Sequence, residues 1–454
     1  MNFLCRSGRF AVDCFTIRGI VHLPVQLALS VDRCRMPCSM PSSPLPLFSA
    51  YGIELEYMLV DAHSLDVRPI ADQVMQFEAG EIVSEVEFDD ISWSNELVLH
   101  VLELKTTDPA PSLAPIADRM QQQVRRVNEL AGQLGARLMP TAMHPWMDPL
   151  QEMQLWPHDS SPIYECFNRI FDCRGHGWAN LQSMHINLPF ASDAEFGQLH
   201  AAVRLVLPLL PALAASSPLM EGQLTGPLDS RLETYRHNSR KIPSIAGRVI
   251  PERVFTEEEY NARVFAPMFR DIAPHDPDGI LQDEFLNARG AIARFSRGSI
   301  EIRVIDVQEC PAADLAIARV VVDVLKRLVA EAWTPTEDQQ LIEIEPLETV
   351  FLDAIVRGEQ AVIRDRQLLA QFGISGEQEL SLKELWQYLA DHPADDGLRP
   401  GGAAYAPLRT ILSDGPLSRR LINALGPAPR RQQLHRVYGE LCDCLQAGEL
   451  WTGR

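Results

Sequence analysis

Apolar and polar residues alternate along several short segments in the first two thirds of the chain. Side chains of a β-strand point to opposite faces in turn, so this alternation predicts half-buried strands. The segment 50–61 is the clearest case, because Glu54 and Glu56 fall on one face of the predicted strand and apolar residues on the other. By this criterion, strands are predicted at 50–61, 82–90, 96–106, 137–141, 180–190 and 298–306.

Apolar residues at helical spacing predict helices between these strands and after them. In the helix predicted at 112–135, Ser112 suits the N-cap and Gly135 the end, while two prolines should bend a second helix at 193–215. After the last strand, helices are predicted at 312–333, 347–372, 381–391, 417–425 and 430–447. Strands followed by a helical tail indicate an α+β fold with a mainly antiparallel sheet.

The chain divides into three predicted regions. A domain at 49–334 holds all the predicted strands, and a helical C-terminal region at 335–454 packs on it. Residues 1–48 differ in composition, with four of the nine cysteines and a Pro/Ser-rich end. We interpret them as a disordered extension, or as the result of a start site placed too far upstream, with Met36 or Met40 as the natural start.

The amino-acid composition argues against several classes of function. The 454 residues are 46% hydrophobic and 22% charged, which is typical of a soluble globular protein. The net charge of −20 argues against a nucleic-acid partner, though not against a nucleotide. No apolar stretch reaches the roughly 18 residues that a membrane span needs. The nine cysteines are irregularly spaced and without a Cys-x-x-Cys pair, which favours a cytoplasmic protein without disulfides.

Two adjacent carboxylates on one strand face repel each other, and a bound divalent cation would relieve that repulsion. Glu54 and Glu56 are such a pair, although a solvated strand face would also accommodate them. Glu301 and Arg303 likewise share a strand face, where they could instead form a cross-strand ion pair, and His185 lies in the middle of a strand, where a core role is the alternative.

Two further glutamates could complete a metal site. Glu96 and Glu103 flank a predicted strand but have opposite parity, so a bulge or a strand end must intervene if both face one site. Arginines concentrate in two places, around 231–248 and 289–297, where they could bind anions or form surface ion pairs. The sequence contains no Walker A loop, no Gly-x-Gly-x-x-Gly before a helix and no Gly-x-Ser-x-Gly.

The order of the motifs resembles that of the glutamate–cysteine ligases, and most closely the bacterial carboxylate–amine ligase branch. The resemblance covers about residues 50 to 330. It rests on Gly52-Ile-Glu-Leu-Glu-Tyr, Leu102-Glu-Leu-Lys-Thr, Thr141-Ala-Met-His-Pro, Ser183-Met-His-Ile-Asn and Gly298-Ser-Ile-Glu-Ile-Arg-Val-Ile-Asp. The family's usual doubled histidine is reduced here to His185, with Met184 before it.

The resemblance implies a glutamine-synthetase-like fold, in which a curved antiparallel sheet forms an active-site funnel with helices outside. It also implies ATP, Mg²⁺, and glutamate ligated through an acyl phosphate to a small amine, with cysteine as the default and glutathione biosynthesis as the setting. Alternatives are a phosphotransferase on the same fold and a non-catalytic metal-binding regulatory protein. We expect no nucleic-acid or membrane partner, and the sequence leaves open whether the protein is a homo-oligomer.

By motif position, the resemblance also implies roles for individual residues. The implied metal ligands are Glu54, Glu56, Glu96, Glu103, His185 and Glu301. Arg303 follows Glu301 as in the family, and in the mechanism that the resemblance implies Arg294, Arg297 or Arg303 would stabilise the transferred phosphoryl group. Arg236 and Arg240 are implied to bind the amino-acid substrate.

Overall fold

Antiparallel pairing joins eight strands into one open sheet in the computed structural model, which describes residues 44–376, 379–391 and 393–453. The prediction for segment 1–48 therefore lies outside the described residues up to residue 43. The strands are β1 (Gly52–Asp61), β2 (Glu85–Val86), β3 (Ile91–Asn95), β4 (Val101–Thr106), β5 (Ala136–Met139), β6 (Ser183–Pro189), β7 (Leu219–Met220), β8 (Gln223–Leu224), β9 (Ala291–Arg294), β10 (Ser299–Asp306), β11 (Val362–Ile363) and β12 (Leu380–Ser381).

The main sheet has the strand order β2-β3-β4-β1-β6-β10-β9, and β5 pairs with the second half of β1. The strands β7 and β8 form one small hairpin, and β11 and β12 pair in another two-stranded sheet. At the centre of the main sheet, β1 lies between β4 and β6, so the Glu54 and Glu56 strand is flanked on both sides.

Helices surround the sheet and fill most of the second half of the chain. They are α1 (Ala71–Ala79), α2 (Ile116–Gln133), α3 (Pro149–Glu152), α4 (Ser161–Phe171), α5 (His176–Ala179), α6 (Asp193–Val206), α7 (Pro211–Ala214), α8 (Ser230–Tyr235), α9 (Glu257–Tyr260), α10 (Ala266–Ile272), α11 (Pro311–Val329), α12 (Thr336–Gln340), α13 (Ile344–Arg357), α14 (Arg366–Ala370), α15 (Leu382–Asp391), α16 (Tyr405–Asp414), α17 (Leu417–Leu425) and α18 (Arg431–Ala447). The predicted α+β class with an antiparallel sheet and C-terminal helices is confirmed.

The two faces of the main sheet differ in character. On β1, Ile53, Leu55 and Tyr57 are fully buried, and they share one hydrophobic core with the buried faces of α2, α6 and α11. Leucines of the C-terminal helices, such as Leu347 in α13, belong to the same core. The side chains of Glu54 and Glu56 alternate with these residues and therefore lie on the opposite, polar face.

Several predicted boundaries are wrong. The predicted strand 82–90 is reduced to the two residues of β2, while β3 and β9 form strands that were not predicted. The predicted helix 112–135 begins at Ile116 with Pro115 as its N-cap, so Ser112 is not the cap. The predicted helix 347–372 ends at Arg357, because Gly358 takes a positive φ of 59° and the chain turns toward β11.

One other predicted helix is present but ends earlier than predicted. The helix predicted at 193–215 breaks after Val206, where a proline-containing 3₁₀ turn leads into α7. The predicted domain boundary near residue 335 falls in the loop between α11 and α12, and it stays a prediction. None of the helices described in the structure combines the length and the apolar character that crossing a membrane requires.

Candidate active site

Strand register brings the predicted acidic residues together on the polar face of the sheet. On β1, Glu54 lies opposite His185 of β6, and Glu56 lies opposite Glu103 of β4. Glu301 of β10 lies opposite Asn187 of β6, two residues from His185 and on the same face. We call Glu54, Glu56, Glu96, Glu103, His185 and Glu301 the carboxylate cluster.

His185 lies at the centre of the carboxylate cluster. Its Nδ1 lies 2.7 Å from Glu54 Oε2 and 3.8 Å from Glu301 Oε1. Its Nε2 lies 2.9 Å from the hydroxyl of Ser183 and 3.8 Å from Glu56 Oε1. Burial alone would lower the pKa of His185, but the hydrogen bond to Glu54 and the charges of Glu54, Glu56 and Glu301 raise it. These neighbours favour the protonated ring, which supplies positive charge among the carboxylates as long as no metal is bound, because a histidine must be neutral to coordinate a metal.

Short hydrogen bonds orient the two glutamates of β1. The Ser183 backbone N–H and hydroxyl donate to Glu56 Oε2 at 2.7 and 3.0 Å. The Asn187 amide donates to Glu54 Oε1 at 2.9 Å. Burial raises the pKa of Glu54, but the hydrogen bond and charge of His185, followed by the charges of nearby cations, lower it to about 2. Glu54 is therefore ionised at neutral pH.

Hydrogen bonds and nearby cations stabilise the ionised form of Glu103 less than that of Glu54. Ser94 donates its hydroxyl to Glu103 Oε2 at 2.5 Å, and Lys105 Nζ lies 3.8 Å from the same oxygen. Burial and the negative charge of Glu54 nevertheless raise the pKa of Glu103 to about 8. Lys105 Nζ also lies 3.0 Å from Glu85 Oε1, so its positive charge is shared between Glu85 and Glu103.

Two arginines hold Glu301. Arg303 Nε lies 2.9 Å from Glu301 Oε1, and Arg294 Nη1 donates to Glu301 Oε2 at 3.1 Å. Burial alone would lower the pKa of Arg303, but the negative charge of Glu301 raises it well above its usual range. Two guanidiniums thus share one carboxylate, which leaves net positive charge at this end of the polar face, suited to an anion.

Glu96 lies at a strand end and not inside a strand, so strand parity does not decide which face it shares with Glu103. The predicted strand 96–106 is wrong at its start, because β3 ends at Asn95 and β4 begins only at Val101. Glu96 lies half-buried in this connection. Burial, followed by the negative charges of Glu103, Glu56 and Glu54, raises the pKa of Glu96 well above its usual range.

The donor atoms fit a hard divalent cation. One ligand atom from each of Glu54, His185 and Glu301 lies within 4.8 Å of the other two, and the same holds for Glu56, Glu103 and His185. Carboxylate oxygens on opposite sides of an ion 2.0–2.6 Å away are separated by roughly 4–5 Å. The two sets share His185, whose Nδ1 lies beside Glu54 and Glu301 and whose Nε2 lies beside Glu56, so a different ring nitrogen faces each set.

The other predicted arginines lie apart from this cluster. Arg297 is exposed in the turn between β9 and β10. Arg236 pairs with Glu233 at 3.0 Å, and Arg240 is exposed. Within the described part of the chain, neither Arg236 nor Arg240 makes a hydrogen bond or an ion pair with the carboxylate cluster.

Sequence reasoning missed several residues that support the cluster, although strand parity could have found most of them. Lys105 follows Glu103 by two positions, and Ser183 and Asn187 flank His185 by two, so all share the polar face. Gly52 leaves the space that Asn187 occupies, since a Cβ at Gly52 would lie 2.8 Å from Asn187 Cβ.

Solved structures with a similar fold include enzymes of glutathione synthesis. The fold is similar to that of a glutamate–cysteine ligase of Francisella tularensis crystallised with AMP, with a TM-score of 0.53 and 13% identity over 87% of this chain and 89% of that one. A bifunctional glutathione synthetase of Pasteurella multocida matches with a TM-score of 0.51 and 13% identity, over 88% of this chain and 52% of its own.

The chain belongs to glutamate-cysteine ligase family 2, whose model matches residues 50–416. An uncharacterized protein of Archaeoglobus fulgidus is 30% identical over 88% of this chain and 99% of its own length. A protein of Rubrobacter xylanophilus, provisionally named glutamate–cysteine ligase 2-3, is 24% identical over 59% of this chain and 66% of its own. The resemblance found in the sequence motifs is confirmed.

Proposed function

We propose that this protein ligates the γ-carboxylate of glutamate to an amine, with ATP hydrolysed to ADP and phosphate, and with cysteine as the default amine. The observation that carries the proposal is the meeting of Glu54, Glu56, Glu103, His185 and Glu301 on one sheet face beside Arg294 and Arg303. Carboxylates suit cations and guanidiniums suit phosphates, so the face offers both halves of a metal–nucleotide site.

Mg²⁺ fits the two donor sets described above. Glu54, His185 and Glu301 would hold one ion, and Glu56, Glu103 and His185, with Glu96 nearby, would hold another. When bound, these ions neutralise phosphate charge that would otherwise oppose an incoming carboxylate. The hydrogen bonds from Ser183 and Asn187 would fix the orientation of Glu56 and Glu54 before substrates arrive.

The arginines would act on the transferred phosphoryl group. Arg303 and Arg294 already lie against Glu301, so their guanidiniums are fixed in place and need little reorganisation. Arg297 in the β9–β10 turn is free to reach a nucleotide from the exposed side. The relative from Francisella tularensis was crystallised with AMP, which supports a nucleotide on this fold.

The reaction divides into two displacements. The glutamate γ-carboxylate attacks the γ-phosphorus of ATP, the bond to the bridging oxygen breaks, and ADP leaves. The amine then attacks the acyl phosphate, the carbon–oxygen bond to phosphate breaks, and the amine proton passes to solvent or phosphate. Arg236 and Arg240 are proposed to hold the amino-acid carboxylate. No thiol is required, and burial raises the pKa of Cys173 to about 12.

A cytoplasmic setting in glutathione biosynthesis belongs to the same proposal. The cysteines among the described residues are all unpaired, which suits a reducing compartment. The roles of Glu96 and Arg236 rest on motif position, those of Arg240 and Arg297 rest on their place in the two arginine-rich stretches, and all four are part of the proposal.

The test is an ADP-release assay in which Mg²⁺, glutamate and amines are omitted in turn. We expect ADP only slowly with glutamate alone, and a strong increase when a suitable amine is added. The product should be a γ-glutamyl amide, identified by mass spectrometry with one phosphate for each ADP. Full-rate ADP release that no amine accelerates, with a stable phosphorylated product, would establish the phosphotransferase alternative instead.

A further inference from the structure

A β-bulge interrupts β10 directly opposite His185 of the carboxylate cluster. The pairing of β10 with β6 shifts between Ile302 and Ile305, so that three residue steps along β10 match two along β6. Two residues of β10, Arg303 and Val304, therefore stand opposite His185 alone. A bulge leaves its extra residue without a regular partner in the strand ladder, and it changes the direction of the side chains there. The contacts that hold the bulge therefore decide where the Arg303 side chain points.

The backbone of Arg303 is held at both its N–H and its C=O group. The N–H donates to the carbonyl of Gly290, just before β9, at 2.9 Å. A Cβ at Gly290 would lie 2.7 Å from Val304 Cγ1, so a side chain there would push against the bulge. The carbonyl of Arg303 accepts a hydrogen bond of 2.8 Å from Nη2 of Arg231 in α8. A buried side chain thus serves as the partner of this carbonyl.

Arg231 is itself fixed by a buried network. Its side chain is 3% exposed, and its Nη1 lies 3.4 Å from Oδ1 of the fully buried Asp306, the last residue of β10. Asp306 Oδ2 accepts hydrogen bonds from the Ser216 N–H at 2.8 Å and from the Ser217 hydroxyl at 2.7 Å. The Ser217 hydroxyl accepts in turn from the backbone N–H of Arg231 at 3.1 Å. One guanidinium therefore joins the bulge to the end of the same strand, which suits the planar, multiple-donor geometry of arginine.

The contacts of the Arg303 side chain show what the held bulge achieves. The Arg303 Nε lies 2.9 Å from Glu301 Oε1, and its Nη1 donates to the carbonyl of Asn287 at 3.4 Å. Both contacts keep the guanidinium beside Glu301, at the arginine-rich end of the polar face. Because the guanidinium is attached to the backbone that Arg231 holds, a shift of the Arg303 carbonyl would move the guanidinium relative to the cluster.

We propose that Arg231 is a positioning residue, which fixes the bulge of β10 and thereby holds the Arg303 guanidinium against the γ-phosphate of ATP. The inference rests on the proposed ligase function, in which Arg303 acts on the transferred phosphoryl group. The sequence left open whether the arginines of the stretch 231–248 bind anions. Arg231 is buried, and its two terminal nitrogens contact Asp306 and the Arg303 carbonyl, so it acts through Arg303 and not on a substrate.

The competing interpretation is that Arg231 only stabilises the fold, and Arg204 of α6 provides a matched control for it. Arg204 is also a buried arginine that donates to backbone carbonyls, from Nε to Pro251 at 2.9 Å and from Nη2 to Ile342 at 3.1 Å. Among the described residues, it makes no hydrogen bond to the carboxylate cluster or to Arg303. A loss of stability alone should affect variants of both arginines alike, whereas a positioning effect should be seen at Arg231 only.

The experiment compares wild type with Arg231→Lys, Arg303→Ala, the double variant Arg231→Lys/Arg303→Ala and the control Arg204→Lys. Lysine keeps a positive charge beside Asp306 but lacks the second arm that reaches the Arg303 carbonyl. Calorimetry with Mg²⁺ gives the Kd of ADP and of a non-hydrolysable ATP analogue, and their ratio is the preference for the γ-phosphate. ADP release is measured with glutamate and the best amine. Melting temperatures show that each variant is folded, and Ser217→Ala, which loosens the same network, replaces Arg231→Lys if the latter does not fold.

We expect Arg303→Ala and Arg231→Lys each to reduce the preference for the ATP analogue over ADP by roughly 10-fold, because a charge-assisted hydrogen bond to the γ-phosphate is lost or misaligned. ADP release should fall by about 10-fold or more in Arg231→Lys, since a misplaced group slows the reaction. The double variant should have the preference of Arg303→Ala to within about 2-fold, because Arg231 then has no guanidinium to position. Arg204→Lys should keep the wild-type preference within the same margin.

Four results would overturn the proposal. They are an unchanged preference in Arg231→Lys, an equal loss in Arg204→Lys, a loss that adds in full to that of Arg303→Ala in the double variant, and a wild-type preference no greater than that of Arg303→Ala. The binding measurement separates this inference from the ligase function. If no amine stimulates ADP release, the ligase proposal fails, while a preference that Arg231→Lys lowers only when Arg303 is present still supports the positioning role.

Discussion

Two groups of buried charges in this protein are built in different ways. Glu309 and Arg420 form a simple pair, with Oε1 and Nη1 2.6 Å apart and side chains 0% and 5% exposed. Arg420 also donates to the carbonyl of Trp451 at 2.7 Å, which ties α17 to the C-terminal end of the described chain. The carboxylate cluster instead gathers five glutamates around His185, Lys105 and two arginines.

The difference between the two groups is one of charge balance. In the Glu309–Arg420 pair each charge has one partner of opposite sign, so the pair is neutral and connects elements. In the cluster, burial and mutual repulsion raise the pKa of Glu103 to about 8, and they raise the pKa of Glu96 well above its usual range. Buried carboxyl groups that are held close together, and of which two have raised pKa values for lack of a positive partner, indicate a cation site, since such a grouping has no structural benefit of its own.

Breaking the balanced pair should have the largest effect on stability. Arg420→Met leaves Glu309 buried without a partner, which should lower the free energy of unfolding by about 3–5 kcal/mol. Chemical denaturation measures this loss. ADP release per folded molecule should stay near the wild-type value, because the pair lies outside the cluster. The double variant Glu309→Leu/Arg420→Met should recover most of the stability, and a failure to recover would show that the pair does more than cancel charge.

Removing the charge of one cluster carboxylate should have the opposite effect, with a large loss of activity and little loss of stability. Glu56→Gln is nearly isosteric and keeps an oxygen for the Ser183 hydrogen bonds, so the melting temperature should change little. ADP release should fall by about 100-fold, the upper end of the roughly 10–100-fold that loss of a metal ligand's hydrogen-bond partner typically causes. Glu87→Gln, an exposed glutamate nearby, is the control. Unchanged ADP release in Glu56→Gln would place Glu56 outside the catalytic site.

A smaller change tests how the cluster is oriented. Gly52→Ala would put a Cβ 2.8 Å from Asn187 Cβ, so Asn187 must shift and its bond to Glu54 must weaken. We expect roughly 10-fold slower ADP release from the misplaced carboxylate. Gly132→Ala is the matched control, because its Cβ meets nothing within 4 Å at the end of α2. Equal activity of the two alanine variants would mean that Asn187 does not orient Glu54.

Strand parity made most of the cluster predictable, because it needs only the local sequence. The alternation around Glu54, His185 and Glu301 placed each side chain on one face, and pairing with β6 then brings these faces together. Glu96 shows the limit, since the turn that ends β3 at Asn95 has no clear sequence marker. Parity therefore indicated opposite faces for Glu96 and Glu103, although the charges of the cluster reach both.

The remaining errors come from tertiary context. The short strand β9 is mainly Ala and Ile, which suits a helix as well, and only its pairing with β10 makes it a strand. A single glycine, Gly358, ended a helix whose apolar pattern continued past it. Arg236 and Arg240 lie outside the helices and strands. Neither the two-residue period of a strand nor the 3.6-residue period of a helix therefore predicts the direction of their side chains.

The most direct test of the central claim is the thermal stability of the protein against Mg²⁺ concentration, with a non-hydrolysable ATP analogue present. A ligand that binds only the folded state stabilises it by about 2.7 kcal/mol at 100 times its Kd. The melting temperature of wild type and of Arg420→Met should therefore rise with Mg²⁺, and that of Glu56→Gln/Glu301→Gln should not. An equal rise in the cluster variant would contradict the assignment of these carboxylates as the cation site.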